Sequence, residues 1–348
     1  LKNFISFCKE NLPNSFVYNK KFLDYWFRDK NYKWLIDVVY NKKKICSINI
    51  KIENQAILNK KIYNFYWTST AFTICKNKKD PNIGLILIDI HKNSDIVGSI
   101  CPNKYSYSLN ESLGRKINNI KLQRYIFLHN KKFLKIIKKD KKIEFKNLSY
   151  KRINRYKNTN SSWVSNIPTG YNNLWKNFSS RFNLCINKND KFIKKRYLNN
   201  KFQDYKFLKV NNFQKELVGF AVIRYQQLND VKFARIIEFI SKKNFEYVVW
   251  KEILYRNYLN NASISDFFVV GNNQNKNLNL LGFKKMNKTN IFYNIPNLLS
   301  PLNYRQWSDD FYLGGLKIKK LSKNFLKKIW FTKGDGDRDY PTRYDIKI

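Results

Sequence analysis

The sequence predicts an α+β (α/β) fold made of two copies of one unit, each a mixed twisted sheet flanked by helices. Three observations predict it. Each half reads in the order helix, hairpin, long strand, helix, strand. Each order closes on a short element ending in Leu-Gly, at Leu113-Gly114 and at Leu281-Gly282. The 348-residue length suits two ordinary domains better than one core. The expected boundaries are an N-terminal domain over 1–145, a C-terminal domain over 146–305, and an extension over 306–348 that carries a GDGDRD turn.

The first half supplies its elements in order. Between Lys20 and Lys30, Phe22, Leu23, Trp26 and Phe27 share one helical stripe. Trp34–Tyr40 and Ile45–Ile52 are β-prone runs split by the turn-like "NKKK", which reads as a hairpin. Ile62–Cys75 is a long β-prone run. A polar loop through Pro81 then leads past Gly84 into an apolar helical stretch, and Asp95–Cys101 reads as a strand. The lysine-rich segment from about Asn130 to Tyr156 reads as a connection carrying one amphipathic element, with a solvated face preferred over a phosphate-binding patch.

The second half follows the same plan. Leu174, Trp175, Phe178 and Phe182 stand at helical spacing. Two alternating runs flank Asn229-Asp230, a two-residue hairpin signal. Glu246–Ala262 is the clearest helix of the chain, and Ser265–Gly271 is a strand. Thr289–Pro296, "TNIFYNIP", reads as one more strand. Near the end, Phe325, Ile329, Trp330 and Phe331 belong to an apolar-periodic stretch that packs on the core.

Composition narrows the function classes. Apolar residues make up 43% and aromatics 17%, enough for sizeable cores. There are 67 Lys+Arg against 25 Asp+Glu, a formal charge of +42. Such an excess ordinarily points to nucleic acid, an anionic surface or phosphorylated ligands. The basic residues are mostly Lys, with abundant Asn, Ile, Phe and Tyr, a mixture that an AT-rich coding sequence produces. Arg, whose planar fork reads bases and phosphates bidentately, is sparse. Nucleic acid is therefore disfavoured as a partner. Five scattered cysteines and two histidines support neither a disulfide framework nor a zinc site, and a reducing cytoplasm fits them best. No apolar run approaches a membrane span of roughly 20 residues. No signal peptide is read, although the chain opens on Leu1 and a preceding segment is left open.

The element order, the "LGF" at Leu281–Phe283 and the closing string of Trp330, Gly334, Asp335, Asp337, Asp339 and Pro341 resemble the GNAT superfamily of N-acetyltransferases. More narrowly, they resemble the tandem GNAT-like proteins of bacterial surface-polysaccharide gene clusters. The resemblance covers most of the chain. It implies acetyl-CoA or another acyl-CoA as co-substrate, its pyrophosphate held on backbone N–H groups at a helix N-terminus by a Gln/Arg-x-x-Gly-x-Gly/Ala loop. In the first half the matching positions are Lys79, Asn82, Ile83 and Gly84, with Lys79 in place of Gln or Arg and Asn82 in place of the first glycine. The backbone of the long strand, Thr73 included, would align the donor. The second-half loop, Ser241 to Phe245, has no glycine. The superfamily often places an acidic Tyr three residues before Leu-Gly; Asn110 and Leu278 stand there instead. Tyr105 and Tyr107 lie close by as substitute acids, with Tyr107 the one put forward, and Glu111 and Glu238 are the candidate bases. For Glu238, a partner among Arg235 or the lysines is the plainer reading.

Asp335, Asp337 and Asp339 match the opening of a calcium loop, yet Tyr340 and Ile346 stand where such a loop needs Gly and Glu. No metal is expected. An acidic turn pinned by Trp330 is the preferred reading, with contacts from these aspartates to an amino-sugar acceptor as the sharper one. The resulting expectation is an acyl-CoA-dependent N-acyltransferase acting on an amino sugar or a related intermediate of surface-polysaccharide biosynthesis. Two rivals stand beside it, a catalytically silent scaffold of the same fold and a basic nucleic-acid-binding protein. A homo-oligomer is left open.

Overall fold

Two tight turns explain how the first sheet starts. In the computed structural model, Lys42 and Lys43 have φ of 44° and 68°, and Asn59 and Lys60 have 49° and 68°. Two consecutive left-handed residues match the twist of paired strands and close a hairpin without splaying it. The structure describes residues 2–12, 19–26, 35–74, 82–100, 121–137, 142, 145, 150, 153–228, 230–271, 275–287, 291–295, 311–318 and 322–336. The chain divides into two units: Leu1–Lys121 with Ser308–Leu326 and Tyr340–Ile348, and Leu122–Trp307 with Lys327–Asp339. The sequence had suggested seams after residues 145 and 305.

Unit 1 opens with helices α1 (Lys2–Asn11) and α2 (Lys20–Trp26). Strands β1 (Ile36–Asn41), β2 (Lys44–Leu58) and β3 (Lys61–Thr73) form an antiparallel meander through the two turns. The sequence pattern had stopped β2 at Ile52; it runs six residues further, to the second turn. Helix α3 (Asn82–Asn93) then crosses over to β4 (Ile96–Ile100), which pairs parallel with β3. Ile48, Ile50, Phe65, Trp67 and Ile96 are fully buried in this sheet.

Unit 2 begins with a strand that the sequence pattern did not reveal, β5 (Gln123–Leu128). The lysine-rich segment behind it starts as a 3-10 helix, Lys131–Ile136, capped by Asn130, whose side chain accepts from the Lys132 N–H. Its Phe133 and Ile136, with Ile137 and Phe145, enter a core cluster with Ile126, Val231, Phe233 and Phe292. The expected amphipathic element is thus part of unit 2 and not a linker.

Strand β6 (Thr159–Val164), helix α4 (Tyr171–Ser179), strand β7 (Leu184–Ile186) and helix α5 (Asp190–Ile193) follow. Strands β8 (Tyr205–Asn212), β9 (Leu217–Leu228) and β10 (Val231–Ser241) repeat the meander, with β9 and β10 turning between Leu228 and Val231 as expected. Helix α6 (Glu246–Leu259) crosses to β11 (Ile264–Val270), parallel to β10. Helix α7 (Asn275–Leu281) ends on Gly282, at φ 96°, and the two-residue β12 (Lys284–Lys285) pairs with β5.

Ile291–Asn294 is a 3-10 turn and not the strand expected over Thr289–Pro296. The edge beside β11 is already taken by β5, paired from Ile264↔Leu128 to Val269↔Gln123. Phe292 and Ile295 serve the core as packing residues instead.

The chain then returns to unit 1 with β13 (Phe311–Gly314), antiparallel to β4, and helix α8 (Lys323–Lys327). It ends its described course in unit 2 with β14 (Ile329–Thr332) and a 3-10 turn, Lys333–Asp335. Each unit therefore borrows an antiparallel strand from a distant stretch of chain: β5 precedes the meander it joins, and β13 follows its own by more than 200 residues. Among the described residues, no helix is long and apolar enough to cross a membrane.

Candidate active site

Both units carry the same irregularity. In unit 1, β3 is bulged against β2: Ile50 faces Thr70 and Lys51 faces Thr68, leaving Ser69 extra. In unit 2, β10 is bulged against β9: Ile236 faces Ile223 and Glu238 faces Val222, leaving Ile237 extra. A bulge bends its strand and raises the local twist. Parallel pairing stops short of the bulge in each case. It covers Phe65 to Trp67 against β4, and Phe233 to Ile236 against β11. Past those points the parallel strands part, and backbone groups facing the gap need other partners.

Unit 2 fills its gap with its own chain. Val269 pairs with Gln123 of β5 and also with Thr332 of β14. A strand residue has one neighbour on each side, so β14 lies on the side of β11 that β10 has left. Gly271, at φ 117°, makes the approach feasible, because a Cβ there would stand 2.1 Å from the Ile329 carbonyl oxygen. The 3-10 turn after β14 carries Lys333, Gly334 and Asp335, all fully buried or nearly so. A Cβ on Gly334 would lie 2.1 Å from Tyr197 Oη and 2.6 Å from Glu238 Oε1.

Around that turn sits a buried charged network. Lys188 Nζ lies 2.6 Å from Glu238 Oε2, 2.8 Å from Asp335 Oδ1 and 2.8 Å from Thr332 Oγ1. Tyr197 donates to Glu238 Oε1 at 2.5 Å, and Thr332 Oγ1 donates to Glu238 Oε2 at 2.9 Å. The Thr332 N–H donates to Asp335 Oδ2 at 2.7 Å, completing a capping box. Lys188, Glu238, Thr332 and Asp335 are all 0% exposed. Burial alone would lower the Lys188 pKa; Asp335 and Glu238 outweigh it and hold the ammonium above its ordinary value. Burial, with Glu238 adding to it, pushes Asp335 up to about 7 against the pull of Lys188. One cation thus faces two carboxyl groups.

A second buried cluster has the opposite balance. Asp266 receives Arg124 at 3.0 Å, Arg235 at 3.4 Å and Lys333 at 3.5 Å. Burial would raise Asp266; Arg235, Lys333 and Arg124 outweigh it and hold the group well below the usual carboxylate range. Glu238 therefore has a lysine as its partner, Lys188, while Arg235 belongs to Asp266 and to Gln226, at 2.9 Å.

The helix N-termini after the two bulged strands also differ. In unit 2, Arg181 spans the loop before α6, bonding Glu246 at 2.5 Å and the Ser241 carbonyl oxygen. This loop turns through Asn244 at φ 70°. In unit 1, α3 begins at Asn82, so Asn82, Ile83 and Gly84 form its first turn. Thr73 closes β3; its hydroxyl accepts from Ser47 at 2.9 Å and donates to the Cys46 carbonyl at 3.2 Å. Thr73 is thereby tied into the meander, while Ser69 and Thr70 occupy the bulge. Among the described residues, no strand pairs with β3 beyond Trp67 on the β4 side.

Of the other residues singled out from sequence, Tyr107, Glu111, Lys79, Asp337 and Asp339 lie outside the described residues. Asp335 and Glu238, assigned separately to substrate and catalysis, meet at one lysine. Sequence reasoning missed Lys188, Tyr197 and Thr332. Only the apolar run Leu184–Ile186 just ahead of Lys188 hints at its burial. Among the described residues no group of His, Cys, Asp and Glu is placed to hold a metal.

No family model and no curated protein matches the chain. Solved structures do. A conserved protein of unknown function from Enterococcus faecalis V583, described as a probable N-acyltransferase, aligns with a TM-score of 0.57 at 8% identity, over 94% of this chain and 72% of its own. Two structures of Saccharomyces cerevisiae N-myristoyltransferase align with TM-scores of 0.48 and 0.47. Their identities are 9% and 10%, over 78% and 90% of this chain and 67% and 77% of theirs. One is described with bound myristoyl-CoA, the other with myristoyl-CoA and inhibitors. The bulged meanders, crossover helices and parallel β3–β4 and β10–β11 pairs, with the first of these alignments, give the chain a GNAT-like fold.

Proposed function

We propose that the chain is an acyl-CoA-dependent N-acyltransferase with two GNAT-like units, and that unit 1 holds the donor. The carrying observation is the contrast at the two bulges. Unit 2 has filled the space beyond its bulge with β14 and spanned its helix-start loop with Arg181. In unit 1 the stretch of β3 beyond Trp67 has no described strand on the β4 side, and α3, from Asn82, is the next described element. Backbone N–H groups at the first turn of α3 would hold the pyrophosphate, with the helix dipole favouring negative charge. The acyl thioester would then lie along β3 near Ser69 and Thr70. The amine attacks the thioester carbonyl, a C–N bond forms, the C–S bond breaks, and CoA leaves as the thiol with the proton that the amine gives up. Alignment of the two reactants supplies much of the rate. Tyr107 and Glu111 remain the proposed acid and base. The acceptor we favour is an amino sugar or related intermediate of surface-polysaccharide synthesis, in the cytoplasm.

Calorimetry with acetyl-CoA at low and moderate salt tests this. The expected result is binding that survives salt, is abolished by Gly84→Trp at the α3 start, and is unchanged by Arg181→Ala. Binding that disappears with salt and ignores Gly84→Trp overturns it. The silent-scaffold reading then leads, and it already has the buried Leu278 in its favour, where a catalytic Tyr is usual.

A further inference from the structure

Unit 2 has an open cleft of about 640 Å³ that no part of the donor argument uses. Its volume falls within the roughly 300–1,000 Å³ of small-molecule sites. One wall is the loop 165–169, which joins β6 to α4. The floor and the facing wall come from the β8–β9 hairpin, through Lys209, Asn211, Lys215 and Leu217. Strand register puts the floor on the loop's side of the sheet. Lys209 and Asn211 are two apart on β8, so they share a face. Phe220 stands directly opposite Lys209, and its ring meets that of Tyr171, at the start of α4, at 4.9 Å. Leu217 stands opposite Asn211. The Trp163 ring turns to the other face, against Tyr225 at 6.3 Å, and takes no part.

The lining is cationic and polar, and among the described residues it holds no carboxylate. Glu216, the acid next to Lys215 in sequence, is committed elsewhere: its carboxylate accepts from Lys242 at 2.6 Å and from Asn212 at 3.3 Å. Lys215 itself sits in the tight turn at φ 62°, its N–H donating to the Asn212 carbonyl at 3.0 Å. Among the described residues neither Lys209 nor Lys215 has an ion-pair partner, and the side chains of Ser165, Asn166, Thr169 and Asn211 make no hydrogen bond. A concave surface lined by one sign of charge focuses its field on a counter-ion. Ile167, Pro168 and Leu217 add an apolar wall, the usual complement to a few convergent polar groups in a small-molecule site. A phosphate monoester, with about −1.5 to −2 charge at pH 7 and three acceptor oxygens, is the anion that gains most from two lysines and several neutral donors.

We propose that this cleft binds a small, soluble phosphate monoester with a hydroxyl-bearing body. The phosphate lies in the joint field of Lys209 and Lys215. The hydroxyls bond Asn211 on the floor and the polar side chains of the loop, and the carbon skeleton rests on Ile167, Pro168 and Leu217. The site stands on unit 2 alone and does not depend on the acyltransferase reading.

NMR titration of the full chain with glycerol 3-phosphate, glucose 6-phosphate, inorganic phosphate and glycerol, at moderate salt, tests it without any acyl donor. Both monoesters should bind more tightly than inorganic phosphate, and their shift changes should centre on 165–169 and 209–217. Lys209→Met should weaken both about 5- to 10-fold, and Lys215→Met about 2- to 5-fold. Lys206→Met removes the same charge from the same strand, but from the opposite face and from a lysine paired with Asp204 at 3.0 Å, so it should change neither. The proposal is overturned if neither monoester binds, if inorganic phosphate binds as well as they do, if Lys206→Met weakens binding as much as Lys209→Met, or if the shift changes centre elsewhere. Phosphatidylglycerol vesicles form a parallel arm: vesicle binding without binding of the free monoesters would make this a lipid-headgroup surface and overturn the proposal as well. Gly84→Trp should leave monoester binding unchanged, so failure here and failure of the donor reading are told apart.

Discussion

Units 1 and 2 solve one problem in different ways. Both have a strand bulged at its middle, and both lose parallel pairing beside that bulge. In unit 2 the gap is filled by β14, whose following turn brings Asp335 to the lysine that Glu238 of β10 also meets. In unit 1 the corresponding stretch of β3 ends in hydroxyl-bearing residues, and the charged contacts of its meander lie near the surface: Lys51 meets Asp37 at 2.8 Å with side chains 19% and 27% exposed. The lesson is that a gap opened by a bulge is either a ligand site or a place for buried chain, and that filling it leaves polar groups that must satisfy one another.

The sharpest way to break this comparison is to remove the central lysine of each unit. Lys188→Met leaves Glu238 and Asp335 buried without their cation and should cost about 3–5 kcal/mol in urea unfolding. Lys51→Met should cost ~0–1 kcal/mol. Equal effects would mean that the network of unit 2 does not hold β14 in place.

A smaller effect follows from shape. Gly334→Ala pushes a methyl group into Tyr197 and Glu238 and should cost about 1–3 kcal/mol, with no loss of acetyl-CoA binding by unit 1. Loss of that binding along with stability would place the donor elsewhere.

The gentlest probe is pH. Asp335 is raised to about 7 in the folded chain from an ordinary value of 3.8. Its folded form binds a proton more readily than its unfolded form, so its stabilisation is full below about pH 4 and is lost as pH rises to about 7. His129, buried and bonded to Ser265 at 2.8 Å, is lowered by burial to about 3. Its contribution has the opposite sign: full above pH 6.5 and lost as pH falls toward 3. Melting temperatures between pH 4 and 8 should therefore show partial cancellation. In Asp335→Asn the fall toward pH 7 should vanish, leaving the rise with pH that His129 contributes. An unchanged profile in that variant would show that Asp335 does not titrate there.

Much of the fold was legible because it is local. The hairpins of both meanders come from alternating apolar runs with short polar turns between them. α6 and α4 follow from apolar spacing, and Gly282 marks the end of α7. The bases of the site were half legible. Glu238 and Asp335 stood out as rare acids in a basic chain, and a lysine partner for Glu238 was the plainer reading. Which lysine it is was not readable among so many. Lys188 differs from the rest only in where β7 and β14 bring it. β5, β13 and β14 were missed for a related reason. Short strands that join a sheet from far along the chain have no hairpin signal, and only the partner edge makes them strands.

By itself, then, the sequence determined the repeated meander, the crossover helices and the scarcity of acids in a basic chain, because turn chemistry and side-chain period act over a few residues. The tertiary structure alone decided which unit fills its gap, which cation meets those acids, and which borrowed strand completes each sheet. Those outcomes depend on contacts between residues far apart in sequence, such as Lys188 and Thr332, 144 apart, or Ile100 and Phe311, 211 apart, and on desolvation that exists only once β14 is in place.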